Sequence, residues 1–358
     1  MVDFISIIDA SIEWTKAILF KPFSLKKWLI LCFIALLAGS LSGGFNYNFG
    51  NSSTSGKKQS KTVQAQSLQQ KPVSNLSPAG LGAIKNKIFK DHRITSLIAG
   101  VVILFCCFII FFIWLQARFS FIFLEALTKN DASIKIPFKS NKQIGNSFFH
   151  ANLVICAVFL LAFGALGFFI IKDIMRLSVY NQGYIVSPKE ILLIFLPYLF
   201  SIIALFIVSC ILSLIISDFV QIAMFKDRIK FMPAFSDVIG VINQNKGNFI
   251  TYICIKMGLG VAAMIIFMLL YIICLLVLII PVAALAFLFY MLYHILPHLI
   301  FFIILFIIVV PIFLAVIVFF MCLYLPFAVF FRVLSMKFIA RLKPEYNLFR
   351  HVNSESIP

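Results

Sequence analysis

Long apolar runs separated by short basic segments dominate the chain. The runs cover residues of about 28–44, 95–115, 150–171, 191–217 and 249–331. A helix that crosses a bilayer needs about 20 predominantly apolar residues, so each of the first four runs predicts one span. The last run is interrupted by Pro281, Pro297 and Pro311 and predicts two spans, at 249–279 and about 299–331, with 281–298 as an embedded hairpin limb or an extra short helix. The pattern therefore predicts an all-α, polytopic integral membrane helical bundle with about six transmembrane helices, seven being possible.

The segments outside the apolar runs complete the predicted organisation. Residues 1–24 have an amphipathic helical pattern, with Trp14 on the apolar face, which predicts an interfacial helix lying in the membrane plane. Residues 25–44 form the first span, and 45–93 are rich in Ser, Gln, Asn and Lys without apolar periodicity, which predicts a disordered loop. Residues 94–331 hold the remaining bundle, and 332–358 form a basic cytoplasmic tail.

Composition excludes several classes of protein. The chain is 62% hydrophobic and 12% charged, whereas a soluble domain is about 45–50% apolar and about 25% charged. A cytosolic enzyme, a secreted disulfide scaffold and a disordered protein are excluded. The eight cysteines all fall in apolar stretches without a C-x-x-C pair, so we interpret them as packing residues.

The formal charge of +17 bears on partners and orientation. The basic residues lie in short loops beside apolar runs, where contact with anionic headgroups and control of topology are the usual explanation, and nucleic acid is not expected as a partner. Eighteen Lys and Arg fall on the side that holds the N-terminus and eleven on the other. Four of those eleven, Lys57, Lys58, Lys61 and Lys71, lie mid-loop, where their influence on topology is small. With an even number of spans, both termini are expected in the cytoplasm.

Two loops on the basic side resemble each other. One reads RFSFIFLEALTKNDASIKIPFKSNKQIGNSFF and the other DFVQIAMFKDRIKFMPAFSDVIGVINQNKGNFI. Each continues a span as an amphipathic extension, turns at a basic patch, passes a proline and reaches the next span through Gly-Asn. The segment RVLSMKFIARLKPEY repeats the first half of this pattern. The likeness predicts surface-lying cytoplasmic helices, and an old duplication is one hypothesis for its origin.

The same segments carry a family resemblance. FKPFSLKKWLILCFIALLAG, the two loops and LPFAVFFRVLSMKFIARLKPEYNLF resemble, in order and over nearly the whole chain, a family of uncharacterised prokaryotic polytopic membrane proteins. They are loosely similar to the membrane domain that accompanies glycerophosphodiester phosphodiesterases, which is a helical part and not the catalytic barrel. The resemblance implies a helical fold in a prokaryotic inner membrane and carries no established activity. The chain departs from the family in a longer 271–325 region.

Lys256 is the one cation predicted well inside a span. An ionisable residue within the membrane is by default a functional hypothesis, because it is costly unless paired or hydrated. Asp218, near the end of the fourth predicted span, lies at a similar depth, so an intramembrane Lys256–Asp218 pair is the sharpest site hypothesis. The alternative, which the geometry favours, is that Lys256 extends to the cytoplasmic interface.

Other residues are candidates for binding or packing. Candidate contacts with lipid headgroups are Lys26, Lys27, Lys226, Arg228 and Lys230; candidates for close helix packing are Gly39, Gly43 and Gly258. His294 and His298 are four residues apart, but two histidines beside Pro297 do not make a zinc site, and we interpret them as interfacial. No phosphate-binding loop, H-E-x-x-H or G-x-S-x-G motif occurs.

Two functional hypotheses follow. The first is a non-enzymatic integral membrane protein that organises anionic lipid or partner proteins at the cytoplasmic face, with no cofactor and with a membrane partner or homo-oligomer possible. The second is a transporter or permease for a lipid-like or small solute, based on Lys256, the prolines and the repeated loops. The few polar residues within the spans place the first hypothesis ahead.

Overall fold

The computed structural model describes residues 3–40, 92–180, 188–295 and 297–349. These residues form helices and no strands, so the predicted all-α class is confirmed. The helices are α1 Phe4–Phe20, α2 Leu25–Leu37, α3 His92–Lys129, α4 Lys135–Ser140, α5 Lys142–Tyr180, α6 Pro188–Ile215, α7 Gln221–Asp227, α8 Phe231–Gln244, α9 Lys246–Ile295 and α10 His298–Leu342. A π-helical turn, Ile216–Val220, joins α6 to α7, and a 3₁₀ turn, Pro344–Tyr346, follows α10.

Among the described residues, five helices are long and apolar enough to cross a membrane. They are Ala99–Lys129, Lys142–Arg176, Phe195–Asp227, Lys246–Ile295 and His298–Leu342. The chain divides into a main unit, Met1–Tyr47 with Trp114–Pro358, and a smaller unit, Asn48–Ile113. The described part of the smaller unit is the first part of α3, whose large apolar side chains are exposed, as expected for contact with lipid. Residues 45–91 of the predicted loop lie outside the described residues. Its last two residues belong to α3, which begins at His92.

The first predicted span differs from the structure. Of residues 25–44, only Leu25–Leu37 are helical within the described part, and 13 residues rise about 20 Å, short of a bilayer core of about 30 Å. The helix ends where the Gly39 backbone N–H donates to the Leu36 carbonyl at 3.0 Å and the Ser40 N–H to the Ala35 carbonyl at 2.9 Å. Gly39 has φ of 70°, a left-handed conformation that favours glycine. Gly39 therefore terminates a helix, and its role in helix packing stays a prediction; Gly43 lies outside the described residues.

The last apolar run also differs from its prediction. Residues 281–298 are neither a separate limb nor a short helix, because α9 continues through Pro281 to Ile295. α10 likewise continues through Pro311 and Pro326 to Leu342, so residues 332–342 belong to a span-length helix rather than to a tail. A proline removes one backbone hydrogen bond, and neighbouring groups in a membrane helix can compensate for that loss.

One end of the main unit is a compact core, which we call the base. It is built from α1, α2, residues 117–127 of α3, α4, the first turns of α5 and α9, the π-helical turn, α7, α8, residues 325–339 of α10, Tyr346 and Phe349. In α5 and in α9, the most apolar stretch of 18 consecutive residues contains no residue that the protein buries. The long helices are therefore held together at the base and present their apolar surfaces outward.

The apolar face of the amphipathic helix α1 is covered by other helices of the protein. Its buried side includes Ser11, Trp14 and Ile18, as the periodicity predicted, but that side packs against α10 within the base. The Trp14 indole N–H donates to the Leu127 carbonyl at 3.4 Å and its ring meets Phe349 edge-on. Trp14 is therefore covered by protein and not by lipid headgroups.

The two similar loops share one backbone plan. α3 ends before Asn130, with φ of 54°, and α7 before Arg228, with φ of 55°. Each is followed by a short helix with proline at its third position, then by one asparagine (Asn141 or Asn245), then by a long helix that begins with lysine. This matched order of elements is what a duplication would produce. Both short helices pack one face against the base and expose the other, which fits the surface-lying helices that the likeness predicted. Their cytoplasmic location stays a prediction.

Candidate functional site

A buried polar centre lies at the junction of the base and the spans. Lys256 and Asp218, the predicted pair, are joined by a salt bridge, and they are only 4% and 5% exposed. The Tyr252 hydroxyl donates to the same carboxylate at 2.9 Å. Lys256 therefore does not extend to the interface, and that interpretation is wrong.

The backbone around Asp218 explains its position. Asp218 lies in the π-helical turn, where the wider helix rotates the following residues relative to those of α6. Such turns are rare and occur often at functional sites. Tyr252 and Lys256 are four residues apart on α9, one helical turn, so both side chains reach the same carboxylate.

Arg332 of α10 completes the polar centre. Its guanidinium donates to the Ser217 carbonyl and, at 2.5 Å, to the Gln221 side-chain oxygen. The Arg332 Nε is buried and has no hydrogen-bond partner among the described residues. The polar centre thus holds one carboxylate and two cations in a low-dielectric environment, where an unmatched charge is costly.

Aromatic rings surround this centre. Phe338 stacks on Tyr252 with ring centroids 4.3 Å apart, and it meets Phe249 edge-on at 5.3 Å. Phe219 lies 5.0 Å from Phe249 and 5.8 Å from Phe338. Tyr252 and Phe338 are almost fully buried. These rings exclude water from the Asp218 salt bridge on the side of the base.

A second polar cluster links the two similar loops. Asn141 donates at 2.6 Å to the buried carboxylate of Glu125, and Lys129 donates to the same carboxylate at 2.7 Å. Arg228 in turn donates to the Asn141 side-chain oxygen. Arg228, predicted as a headgroup contact, therefore also has a structural role between the loops.

The other predicted headgroup lysines divide into two groups. Lys26, Lys226 and Lys230 have exposed side chains. Lys27 instead donates to the Ile18 carbonyl at 2.7 Å and to the Asn130 side-chain oxygen at 2.6 Å. Lys27 thus ties α1 and α2 to the turn after α3.

Close glycine packing occurs elsewhere than predicted. A Cβ on Gly258 would meet nothing within 4 Å, so the predicted packing role of Gly258 is wrong. A Cβ on Gly145 would lie 3.1 Å from the Cγ of Arg118. Arg118 lies there over the rings of Trp114 and Phe138 and donates to Asn146 at 2.9 Å. The glycine of the Gly-Asn pair thus leaves room for this arginine.

The two histidines lie at the tip of the α9–α10 hairpin. His294 is in the last turn of α9 and His298 begins α10, and the Tyr293 ring lies between 5 and 6 Å from both. No group of three potential metal ligands occurs among the described residues.

A polar clasp holds the chain after α10 against α8. The Tyr346 hydroxyl donates to the Asp237 carboxylate, and Lys343 lies 3.1 Å from the same group. The hydrogen bond from Tyr346, followed by Lys343, lowers the pKa of Asp237 against the opposing effect of partial burial. Burial and then Asp237 raise the pKa of the Tyr346 phenol.

This clasp gives a pH prediction. Because the folded pKa of Asp237 is lowered, its stabilisation is present above the unfolded pKa of about 4 and is lost as pH falls through the folded value. The Asp237 side chain is 39% exposed, so the contribution is below about 1 kcal/mol. Asp237→Asn should lower the protection factors of the Tyr346–Phe349 amides at neutral pH. Acidification below the folded pKa of Asp237 should lower them in the unmodified chain, each factor comparing the measured exchange rate with the intrinsic rate at the same pH.

The matched control for the clasp is Glu345→Gln, which removes a carboxylate that is 81% exposed and 3.7 Å from Lys343. This variant should exchange as the unmodified chain does. Equal exchange in the Asp237 variant and in this control would show that the clasp does not hold the segment.

The architecture is that of a helical membrane protein with five span-length helices among the described residues and a packed base. A family model, described as a family of unknown function (DUF7544), matches residues 2–349. The chain belongs to this family. No curated protein and no solved structure matches it.

Proposed function

We propose that this protein is a non-enzymatic, multi-pass protein of the prokaryotic cytoplasmic membrane that organises anionic phospholipid at the cytoplasmic face. The observation that carries the proposal is the base, a packed core whose rim exposes lysines beside apolar side chains. Lys230 lies two residues before exposed Met232, and Lys135 directly precedes exposed Ile136; both apolar residues immediately precede the proline of their loop. Apolar side chains flanked by lysines are suited to the boundary between anionic headgroups and acyl chains.

The distribution of charge supports the cytoplasmic orientation. The described cations concentrate in the base and its rim, whereas Lys172 and Arg176 lie toward the opposite end of α5. Loops rich in Lys and Arg near span ends remain in the cytoplasm. The orientation places α1 and the clasped segment after α10 on the cytoplasmic side.

The test is retention of phosphatidylglycerol by purified protein, measured by native mass spectrometry. Lys26→Glu, Lys226→Glu and Lys230→Glu together should reduce retention, because a lysine near an anionic surface contributes about 1 kcal/mol. The control, Lys172→Glu with Arg176→Glu, also reverses basic charges, but away from the base, and it should retain lipid normally. Equal retention by both variants would refute the proposed lipid surface.

The alternative is a transporter or permease for a lipid-like or small solute. The buried Lys256–Asp218 pair and its π-helical turn favour this alternative, because ionisable groups inside membranes mark solute and ion routes. The outward-facing apolar surfaces favour the lipid proposal instead. Lys256→Leu should abolish flux through a transporter and leave phosphatidylglycerol retention unchanged in a lipid-organising protein.

A further inference from the structure

The α9–α10 hairpin is much longer than a bilayer is thick. Between Lys256 and Arg332 the sequence contains no Asp, Glu, Lys or Arg. Residues 257–295 of α9 rise about 58 Å and residues 298–331 of α10 about 51 Å. The hydrocarbon core is about 30 Å thick, and a tilt of about 40°, the upper end for membrane helices, accommodates only about 39 Å. A straight hairpin would thus leave uncharged, apolar helix beyond the membrane.

Aromatic contacts fix which residues of the two helices lie side by side. Phe267 meets Tyr324 with ring centroids 5.2 Å apart, and Tyr271 meets Phe320 at 4.6 Å. Nearer the tip, Phe289 meets Phe301 at 6.3 Å. This register places Pro281 of α9 level with Pro311 of α10.

The paired prolines divide the hairpin at one bilayer thickness. From Lys256 to Pro281 the helix rises about 37 Å, and from Pro311 to Arg332 about 31 Å. Each proline lacks an N–H and removes one helical hydrogen bond, and sharp helix bends occur mainly at prolines. Because both prolines lie at the same level, the hairpin should bend most easily there.

The part beyond the prolines, residues 282–310, is apolar on all sides. Phe287, Leu288, Tyr290 and Met291 project in different directions around α9, and all are exposed. A surface that binds one protein partner would be apolar on one side and polar on the other. Exposure on every side except the one where Phe289 and Phe301 pair α9 with α10 fits lipid instead. Tyr290, Tyr293 and the two tip histidines suit the headgroup boundary.

We infer that residues 282–295 and 297–310 form a membrane-inserted segment that bends at Pro281 and Pro311 and lies within the leaflet opposite the base. The partner of this surface is the bilayer itself. The inference is independent of lipid binding by the base.

The test uses spin labels on the full chain reconstituted in phosphatidylcholine–phosphatidylglycerol vesicles, with the native cysteines replaced. Single cysteines are placed by Phe287→Cys beyond the prolines, Leu269→Cys within the span and Lys230→Cys on the base. The Phe287 label should collide with oxygen as the Leu269 label does, and it should lose access to a water-soluble nickel complex that reaches the Lys230 label. Access of nickel to the Phe287 label would place the segment in water, and protection from both probes would place it against protein; either result overturns the inference.

The bend is tested by Pro281→Ala with Pro311→Ala, which restores both helical hydrogen bonds. The Phe287 label should then gain access to nickel, because a straightened hairpin extends beyond the bilayer. Unchanged access in the reconstituted double variant would overturn the bend at the prolines. The labels in the proline-containing chain test insertion even where this variant does not fold.

Discussion

Asp218→Asn is expected to destabilise the protein by about 3–5 kcal/mol, because it leaves the buried Lys256 without its counter-charge. The loss should be large even for a buried pair, since Arg332 is a second cation that interacts with the Asp218 carboxylate. Tyr252 would also donate to a weaker acceptor. Unfolding in mild detergent, followed by tryptophan fluorescence, measures the change.

A double-mutant cycle separates the free energy lost with the salt bridge from the free-energy cost of the unpaired charge that remains buried. Lys256→Met alone leaves Asp218 with Tyr252 and the nearby Arg332, so its cost should be smaller than that of Asp218→Asn. Asp218→Asn with Lys256→Met removes both charges and should recover part of the loss, because uncharged residues of similar volume often replace a buried pair without cost. Recovery stays partial because Arg332 keeps its charge. A loss below about 1 kcal/mol in every variant would show that the pair contributes little.

The same double variant distinguishes the two functional proposals. Where it folds, a transporter that uses the ion pair should lose flux, whereas a protein that organises lipid through its base should retain phosphatidylglycerol. Stability is measured on the same sample, so a failure to fold is not mistaken for a loss of function.

Sequence predicted the two charged partners for a physical reason. Charged residues within apolar runs are few, so two of opposite sign at similar depth are natural partners. Tyr252, Gln221 and Arg332 were not predicted as members of the polar centre, because tyrosine, glutamine and arginine near a span end are ordinary interfacial residues. The π-helical turn that orients Asp218 left no signal in the spacing of the apolar residues.

The approximate positions of the long helices could also be predicted from the sequence. Apolar runs bounded by basic loops predict span-length helices, and each of the five described ones overlaps one predicted span and extends beyond its C-terminal bound. The length of α2 was overestimated, because a glycine at position 39 is compatible both with close helix packing and with the end of a helix. The buried face of α1 was predictable from the sequence, but the partner of that face was not. A helix that packs on α10 and a helix that lies among lipid headgroups have the same amphipathic pattern.

Phenylalanines illustrate the same limit, because position in the sequence does not distinguish a ring in the core from one facing lipid. Phe338 is 0% exposed and contacts rings of α1, the π-helical turn and α9, namely Phe4, Phe219, Phe249 and Tyr252. Phe306 lies in an equally apolar part of α10 and is 69% exposed.

Phe338→Ala is therefore expected to cost about 3–5 kcal/mol, because it leaves a cavity between four elements of the base and admits water toward Asp218. The matched control, Phe306→Ala, removes the same atoms from a surface that lipid can refill, and its unfolding midpoint should stay near that of the unmodified protein. Thermal unfolding of both variants in the same detergent makes the comparison. Equal destabilisation would mean that the base is not the stabilising core. The expected difference would instead show that the long helices depend on the base for their stability.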